Sequence, residues 1–288
     1  MKTKDWLVFT GLALAWGSSF FWIKIVLEEI GPFMLVFLRV LLGIVGLLVV
    51  VALRKPQWPK DKTLLRNLLI LGITNTALPF VLISWAELHI DSAVASILNA
   101  SVPLFTTVIA HFALTDDRMS PRRVAGLLVG FAGVALLVLR HHEGDVRMNL
   151  LAQGAMILAV LFYAGSAVFA RSKTKGANPI MQALIPLFSA DAFILAAAFA
   201  VESPLHLPQL TSTWVALAWL GFVGSCAAYL FYYYLIHSVG PTRTTMVTYT
   251  FPVVGVTLGV LFLGELLDWQ LVVGGLLILG SLLIVNRG

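Results

Sequence analysis

The chain has 288 residues, of which 59% are hydrophobic and 11% are charged, and its mean hydropathy is +0.94. These values exclude a water-soluble globular protein, which needs far more polar side chains at its surface. The formal charge of +5 does not indicate nucleic acid binding, because the basic residues form short clusters between apolar segments and not one basic face. The predicted solvent of this fold is a lipid bilayer.

Ten apolar segments follow one another along the chain. A helix needs roughly 20 apolar residues to cross the ~30 Å hydrocarbon core, and solid apolar blocks do not fit the alternating strands of a membrane barrel. The sequence therefore predicts an all-α integral membrane protein with ten transmembrane helices. We expect them near residues 6–27, 32–53, 66–87, 92–114, 121–139, 149–170, 178–201, 213–237, 241–264 and 269–286.

The two halves of the chain repeat each other at a nearly constant spacing. Because each half carries five predicted spans, which is an odd number, the second copy must enter the membrane inverted, as in many transporters. We predict a first five-helix repeat over 1–143 and a second, inverted repeat over 144–288. The repeated pairs include Trp16 and Tyr163, Ser19 and Ser166, Pro32 and Pro179, Gly72 and Gly221, and Pro103 and Pro252.

Three motifs carry a family resemblance: Trp16-Gly-Ser-Ser-Phe20, the segment Ser92 to Pro103, and Phe251-Pro252 with the following Leu263-Gly-Glu-Leu266. With both copies of the repeat, the chain resembles the EamA-type members of the drug/metabolite transporter superfamily. The resemblance implies a bacterial inner-membrane carrier, often an exporter of amino acids or other small metabolites, with ten helices around a central cavity. The second copy departs from the first motif, since Tyr163-Ala-Gly replaces Trp-Gly.

Charge asymmetry predicts the orientation in the membrane. Cytoplasmic loops are enriched in Lys and Arg, and with the N-terminus inside, the opposite side has only Arg140 and Arg147. We therefore predict a multi-pass protein of the bacterial inner membrane with both termini in the cytoplasm. The basic residues on the predicted cytoplasmic side are Lys2, Lys4, Arg54, Lys55, Lys60, Lys62, Arg66, Arg118, Arg122, Arg123, Arg171, Lys173, Lys175, Arg243 and Arg287.

The first apolar segment also resembles a signal peptide, with Ala13-Leu-Ala15 in the place of a cleavage site. The apolar run continues to Leu27, which makes it long enough to span the membrane. We expect this segment to be retained as the first helix.

Polar, proline and aromatic residues inside the spans are the candidates for a substrate site. Alternating-access carriers bind their substrates near the midplane, where the repeats meet and helices are interrupted. Along helix 4, Ser92, Ser96, Asn99, Pro103 and Thr106 are predicted to share one face, although packing between helices is an alternative use of such a stripe. The predicted substrate-binding residues are Trp16, Ser19, Asn99, Pro103, Tyr163, Ser166, Tyr229, Tyr233, Thr248 and Pro252.

Few charged residues lie inside the predicted spans. Arg39 and Asp191 both lie inward from the non-cytoplasmic face. If helices 2 and 7 are neighbours or face one cavity, the two residues are expected to form a structural ion pair, or Asp191 is expected to carry a proton that is coupled to transport. Lys24 is expected to pair with Glu28, one helical turn further on. Helix 1 has no acidic residue in its core, which favours neutral or zwitterionic metabolites over cationic drugs.

The sequence gives little support to a metal site, to an enzyme or to an ATP-driven transporter. The polar segment 140–147, with His141 and His142, is predicted to be a solvated loop, because two adjacent histidines without a third ligand do not make a metal site. A membrane enzyme would need a reaction centre, and the doublet Asp116-Asp117 has no second acidic cluster. The sequence has no Walker motif, so ATP is not the direct energy source.

The sequence therefore predicts a non-enzymatic secondary transporter for neutral or aromatic amino acids, without cofactor or metal. Export is the expected direction, and alternating access is expected to rock the two repeats around the cavity. A multidrug exporter of the same superfamily and a non-transporting sensor or scaffold are the alternatives. The expected partners are a small-molecule substrate and the lipid bilayer, and both a monomer and a homodimer fit the sequence.

Overall fold

The computed structural model describes residues 2–113, 119–140, 145–239, 244 and 246–286, without the side chains of 233, 236, 237 and 286. Every regular element in these residues is helical, and together they form ten membrane helices. The predicted all-α membrane fold is confirmed. In chain order, the helices are α1 Thr3–Leu27, α2 Pro32–Arg54, α3 Lys62–Ala86, α4 Ser92–Ala113, α5 Pro121–Val138, α6 Val146–Lys173, α7 Pro179–Val201, α8 from Thr211 to Val239, α9 Met246–Phe262 and α10 Trp269–Asn286.

The first eight helices have at least 18 residues and enough hydropathy to cross a membrane, and α9 and α10 are shorter apolar helices. Their boundaries follow from residues that begin helices. Pro32, Pro121 and Pro179 each stand in the first turn of a helix, where proline removes no intrahelical hydrogen bond. Ser120 and Asn178 cap α5 and α7 by accepting a backbone N–H one turn inside, which satisfies an otherwise unpaired donor.

Four helices contain an irregular segment, at positions related by the repeat. Gly72–Ala77 in α3 and Trp219–Ala227 in α8 are π-helical. In α4 the helix stops at Asn99 and resumes at Val102, and α9 begins with a 3₁₀ turn over Met246–Thr250. Such segments have weaker backbone hydrogen bonding than an α-helix and often mark hinges or sites.

Three prolines lie directly after these irregular segments. Pro79, Pro103 and Pro252 each occupy the second position of the α-helical segment that follows the irregular one. Proline lacks a backbone N–H and disfavours the helical conformation of the residue before it, so the sequence explains where the helices are interrupted. The single polar face predicted along α4 is interrupted between Asn99 and Pro103 for the same reason.

Eight of the helices form a closed ring in the order α1, α8, α2, α7, α3, α6, α4, α9. Helices of the first repeat alternate with helices of the second at every step. The remaining helices, α5 and α10, pack against each other and contact the ring mainly through α4. The repeats are therefore interleaved, because each ring helix lies between two helices of the other repeat. The rocking of the two repeats stays a prediction.

Two close contacts show the repeat in the packing. A methyl group added at Gly72 in α3 would overlap the carbonyl of Pro186 in α7 and the hydroxyl of Ser189. A methyl group added at Gly221 in α8 would overlap Leu42 and approach the carbonyl of Arg39 in α2 to 3.0 Å. Small residues let membrane helices approach this closely, and here the two equivalent glycines draw the second and seventh helices towards the two π-helical segments.

Candidate functional site

Arg39 lies inside the ring on α2 and is only 5% exposed. Its Nε donates a hydrogen bond of 3.3 Å to the hydroxyl of Ser225 on α8. Its guanidinium carbon lies 4.1 Å from the centre of the Phe80 ring on α3, which is a cation–π contact. Three helices therefore hold the guanidinium in one position.

Tyr163 and Tyr229 also belong to the centre of the ring. Tyr163 is on α6 and Tyr229 is on α8, which stand opposite each other in the ring. Both phenol groups lie within the range of electrostatic interaction with each other and with Arg39, and both rings pack against the same buried core. We define these three residues as the central cluster.

Trp16 on α1 extends this cluster with an aromatic surface. Its indole N–H donates a hydrogen bond of 3.1 Å to the carbonyl of Gly224. Its ring lies 6.0 Å from Tyr229, 5.5 Å from Tyr232 and 6.3 Å from Phe251, measured between ring centres. Aromatic contacts at these distances are favourable and rigid, so Trp16 joins α1, α8 and α9 beside Arg39.

Gly224 leaves a methyl-sized space between α1 and α2. A methyl group added at Gly224 would stand 3.6 Å from Nη2 of Arg39 and 3.6 Å from the hydroxyl of Ser19. The Ser19 hydroxyl donates to the carbonyl of Ala15. Because Gly224 has no side chain, the Arg39 guanidinium and the Ser19 hydroxyl border the same methyl-sized space.

The remaining predicted site residues are spread over the bundle. Asn99 is buried on α4, and its side-chain oxygen has no hydrogen-bond partner. Ser166 donates a hydrogen bond of 2.9 Å to Thr74 and joins α6 to α3. Thr248 is half-buried in the 3₁₀ turn of α9 and has a polar partner. The side chain of Tyr233 lies outside the described residues, so its predicted role stays a prediction.

Arg39 and Asp191 do not form the ion pair that the sequence suggested, although α2 and α7 are neighbours. Of the described residues, Ser225 alone accepts a hydrogen bond from the Arg39 side chain, and one carboxylate oxygen of Asp191 is buried without a partner. The proposed role of Asp191 in proton coupling stays a prediction.

Sequence reasoning missed Glu87, which follows α3 directly. Glu87 is completely buried, and both of its carboxylate oxygens are enclosed without a hydrogen-bond partner. The ammonium group of Lys24 on α1 donates to the backbone carbonyl of Glu87, so the predicted pairing of Lys24 with Glu28 is replaced by a contact with the opposite side of the ring. The only sequence signal was an acidic residue at the end of an apolar span, which is typical of a loop.

This contact lies at the end of the bundle opposite to the chain termini, which we call the distal end. Helices that are not neighbours in the ring also meet there: the Ser19–Leu27 part of α1 contacts the Ser92–Asn99 part of α4, and α2 contacts the Leu78–Ala86 part of α3. The ring is therefore closed across its distal end.

Carboxylates hold the distal end together by binding the starts of helices. Glu202 accepts hydrogen bonds of 2.9 Å from the N–H groups of Phe33 and Met34 at the start of α2. Glu265 accepts bonds of 2.7 and 2.9 Å from the N–H groups of Ser92 and Ala93 at the start of α4. The first N–H groups of a helix lack internal partners and carry a partial positive charge. Each carboxylate of the second repeat therefore stabilises a helix of the first.

Glu29 makes the reciprocal contact from the first repeat. Its carboxylate accepts hydrogen bonds from the N–H groups of Gln209 and Leu210 at the start of α8. The nearby Thr213 hydroxyl and these two N–H groups hold the pKa of the Glu29 carboxyl below its ordinary value, because they favour the charged form.

Arg140, the first residue of the segment 140–147 that was predicted to be a solvated loop, departs from that prediction. It is only 7% exposed and donates to the carboxylates of Asp91 and Asp268 and to the carbonyl of Leu266. It thereby joins the starts of α4 and α10. Among the described residues, no group of three metal-binding side chains comes together. His141, His142 and the doublet Asp116-Asp117 lie outside the described residues.

Comparisons with known proteins agree with this architecture. The family described as the EamA-like transporter family matches residues 5–139 and again 150–287. A protein of Escherichia coli (strain K12), named "Uncharacterized inner membrane transporter YedA", is 29% identical over 89% of this chain and 82% of its own length. A "Probable terminal-alkyne amino-acid exporter" of Streptantibioticus cattleyicolor is 22% identical over 95% of this chain and 90% of its own length. A solved crystal structure has a TM-score of 0.71 at 19% identity, with 99% of both chains covered, which supports the same fold.

Proposed function

Because this chain belongs to the EamA-like transporter family, we propose that it is a secondary transporter of small metabolites with neutral or aromatic amino acids as substrates. The proposed location is the bacterial inner membrane, with both termini in the cytoplasm and export as the direction. The observation that carries the proposal is the central cluster, in which Arg39, Tyr163 and Tyr229 meet inside a ring built from alternating repeats.

The chemistry of this cluster suits amphipathic metabolites. Trp16, Tyr229, Tyr232 and Phe251 supply aromatic surfaces, and small-molecule sites are largely apolar with a few convergent polar groups. A buried charge and phenol hydroxyls next to these rings supply the polar groups. The name of the Streptantibioticus cattleyicolor relative refers to amino-acid export, which supports the same substrate class here.

The closed distal end and the interrupted helices support alternating access. Access from the distal side requires separation of α1 from α4 and of α2 from α3, because these pairs contact each other across the ring. Irregular segments interrupt α3, α4 and α8, and one begins the described part of α9. Segments of this kind are suited to bending. Since the repeats alternate around the ring, we propose that half-helices move at each end and that neither repeat moves as a rigid body.

The test is counterflow in proteoliposomes with labelled phenylalanine, leucine and threonine, with empty vesicles as the control. Saturable uptake driven by the unlabelled amino acid on the other side of the membrane is the expected result. Absence of counterflow for all amino acids, with counterflow of a lipophilic cation, would replace this proposal by the multidrug alternative. Absence of counterflow for every compound would favour the sensor or scaffold.

Proton coupling is tested in the same vesicles with a pH gradient and the variant Asp191→Asn. If Asp191 carries the proton, the variant retains counterflow and loses accumulation driven by the pH gradient. If both activities are retained, Asp191 has no part in coupling.

A further inference from the structure

Resting on the proposed function, we infer that Arg39 is the carboxylate-binding residue of the central site, so that ligands must carry a carboxylate next to an apolar group. The juxtaposition that carries this inference is the buried guanidinium of Arg39 beside the methyl-sized space at Gly224 and the hydroxyl of Ser19.

The first step is that Arg39 lacks an anionic partner. Nε donates to Ser225, and no described carboxylate lies within ion-pair distance of the guanidinium. A charge that is buried in a membrane protein without a counter-ion is strongly unfavourable, and such residues mark ligand or ion sites. Arg39 cannot reach a lipid headgroup either, because it is enclosed by three helices and is only 5% exposed.

The second step is that the unused donors of Arg39 face accessible space. Both carboxylate oxygens of Glu87 are fully enclosed and have no hydrogen-bond partner. No nitrogen of Arg39 is both fully enclosed and without a hydrogen-bond partner. The terminal nitrogens of Arg39 therefore keep a small accessible surface, whereas the Glu87 carboxylate is sealed. Of these two buried charged side chains, Arg39 is therefore the more accessible one.

The third step concerns the shape of this space. Phe80 covers one face of the guanidinium and Ser225 occupies Nε, so Nη1 and Nη2 remain for a ligand. Gly224 adds no side chain at the position 3.6 Å from both Nη2 and the Ser19 hydroxyl. A planar carboxylate binds two nitrogens of a guanidinium side by side, and the Ser19 hydroxyl is close enough to orient such a group.

The fourth step concerns charge. Arg39 is the one cation of the central cluster, and its polar neighbours Ser19, Tyr163 and Tyr229 are neutral groups. One guanidinium balances a monoanion better than a phosphate dianion, and the aromatic rings around Trp16 suit an apolar substituent. The chemistry therefore favours a carboxylate with an apolar side chain.

Binding is measured separately from transport, by the shift in thermal unfolding of the detergent-solubilised full chain. The probes are phenylalanine, 3-phenylpropionate, which lacks the amine, phenethylamine, which lacks the carboxylate, and inorganic phosphate. We expect saturable stabilisation by the two carboxylates and at least about tenfold weaker binding of phenethylamine and phosphate, because charge-assisted hydrogen bonds to a buried guanidinium are strong.

Three variants test the assignment. Arg39→Gln is expected to weaken binding of both carboxylates by roughly 10- to 100-fold, and Arg39→Lys is expected to restore part of it, since lysine keeps the charge without the two-pronged geometry. Gly224→Ala is expected to weaken carboxylate binding about tenfold, because its methyl group fills the position next to Nη2 at ordinary contact distance. The matched control is Gly154→Ala on α6, where an added methyl group meets no atom within 4 Å.

A purely structural Arg39 predicts a different pattern. In that case Arg39→Gln would lower the unfolding temperature of the ligand-free protein and leave the preference for carboxylates unchanged. Equal binding of phenethylamine and 3-phenylpropionate to the wild-type protein, or no stabilisation by any carboxylate, would overturn the inference. Carboxylate binding without counterflow would contradict the proposed transport function and leave the role of Arg39 supported.

Discussion

The two repeats share their backbone geometry but not their charges. Both have a π-helical segment in the third helix of the repeat, at Gly72–Ala77 and Trp219–Ala227, and both interrupt the fourth helix before a proline. Among the described residues, Lys24 and the buried charged groups Arg39 and Glu87 belong to the first repeat, and Asp191, with one enclosed carboxylate oxygen, belongs to the second. The second repeat has no cation at the position equivalent to Arg39. Pro186 of α7 contacts Gly72 there, as Arg39 contacts Gly221.

The first helices of the two repeats also differ. α1 is interrupted at Ser18, whereas α6 is continuous from Val146 to Lys173. The interruption in α1 lies next to Trp16 and Ser19, which face Gly224 and Arg39. The comparison indicates that duplication supplies equivalent irregular segments to both halves, whereas the buried cation Arg39 of the proposed site comes from the first half alone.

The largest effect is expected from the shared hinges. Gly72→Ala places a methyl group against a backbone carbonyl of α7, which cannot move without its helix, and overpacking of this kind destabilises by about 1–3 kcal/mol or more. Gly221→Ala is also expected to destabilise, because its nearest obstacle, Cβ of Leu42, cannot move without the backbone of α2. Thermal unfolding in detergent measures both, with Gly154→Ala as the control. Equal stability of the three variants would contradict the close approach at Gly72.

The difference between the first helices predicts unequal effects on transport. Trp16→Ala removes a hydrogen bond and three ring contacts and is expected to lower counterflow by roughly tenfold or more. Tyr163→Phe removes one hydroxyl and is expected to lower it by a few-fold at most, since a single neutral hydrogen bond contributes about 1 kcal/mol. Membrane insertion is measured in parallel for both. A larger loss for Tyr163→Phe would place the main recognition surface in the second repeat.

The contacts at the distal end predict a smaller effect on stability. Glu265→Gln and Glu202→Gln each weaken two hydrogen bonds to a helix N-terminus and are expected to destabilise by about 0.5–2 kcal/mol. Glu28→Gln is the matched control, because Glu28 is exposed at the same end of the bundle. Differential scanning fluorimetry checks the ranking, and an equal loss for Glu28→Gln would show that general charge, and not capping, is responsible.

The smallest effect is expected from Glu29 and depends on pH. A carboxyl whose pKa is lowered in the folded state stabilises the protein above its unfolded pKa, and this stabilisation is lost as the pH falls through the folded pKa. The contribution of Glu29 is therefore complete above its ordinary pKa of 4.5 and is lost as the pH falls below that value. The difference in unfolding temperature between the wild-type protein and Glu29→Gln should be largest near neutral pH and vanish in acid. A constant difference would contradict the role of its charge.

The sequence predicted the candidate site only in part. Trp16, Tyr163 and Tyr229 could be selected because they are aromatic residues inside spans, two of them related by the repeat, and the structure brings them close to Arg39. Glu87 and Arg140 were missed because both stand at the ends of spans, where charged residues are common in solvated loops. Their burial results from contacts with residues far away in the chain, such as Lys24 and Asp268, which no local pattern indicates.

Composition and periodicity alone determined that this chain is a ten-helix membrane protein built from two inverted repeats, because the thickness of the bilayer sets the length of each apolar segment and proline sets the interruptions. Only the tertiary structure decided that the repeats alternate around one ring, that Arg39 contacts Ser225 and not Asp191, and that carboxylates close the distal end. The physical reason is that apolar helices in lipid have many similar faces, and the choice between partners depends on small residues and a few hydrogen bonds between distant segments.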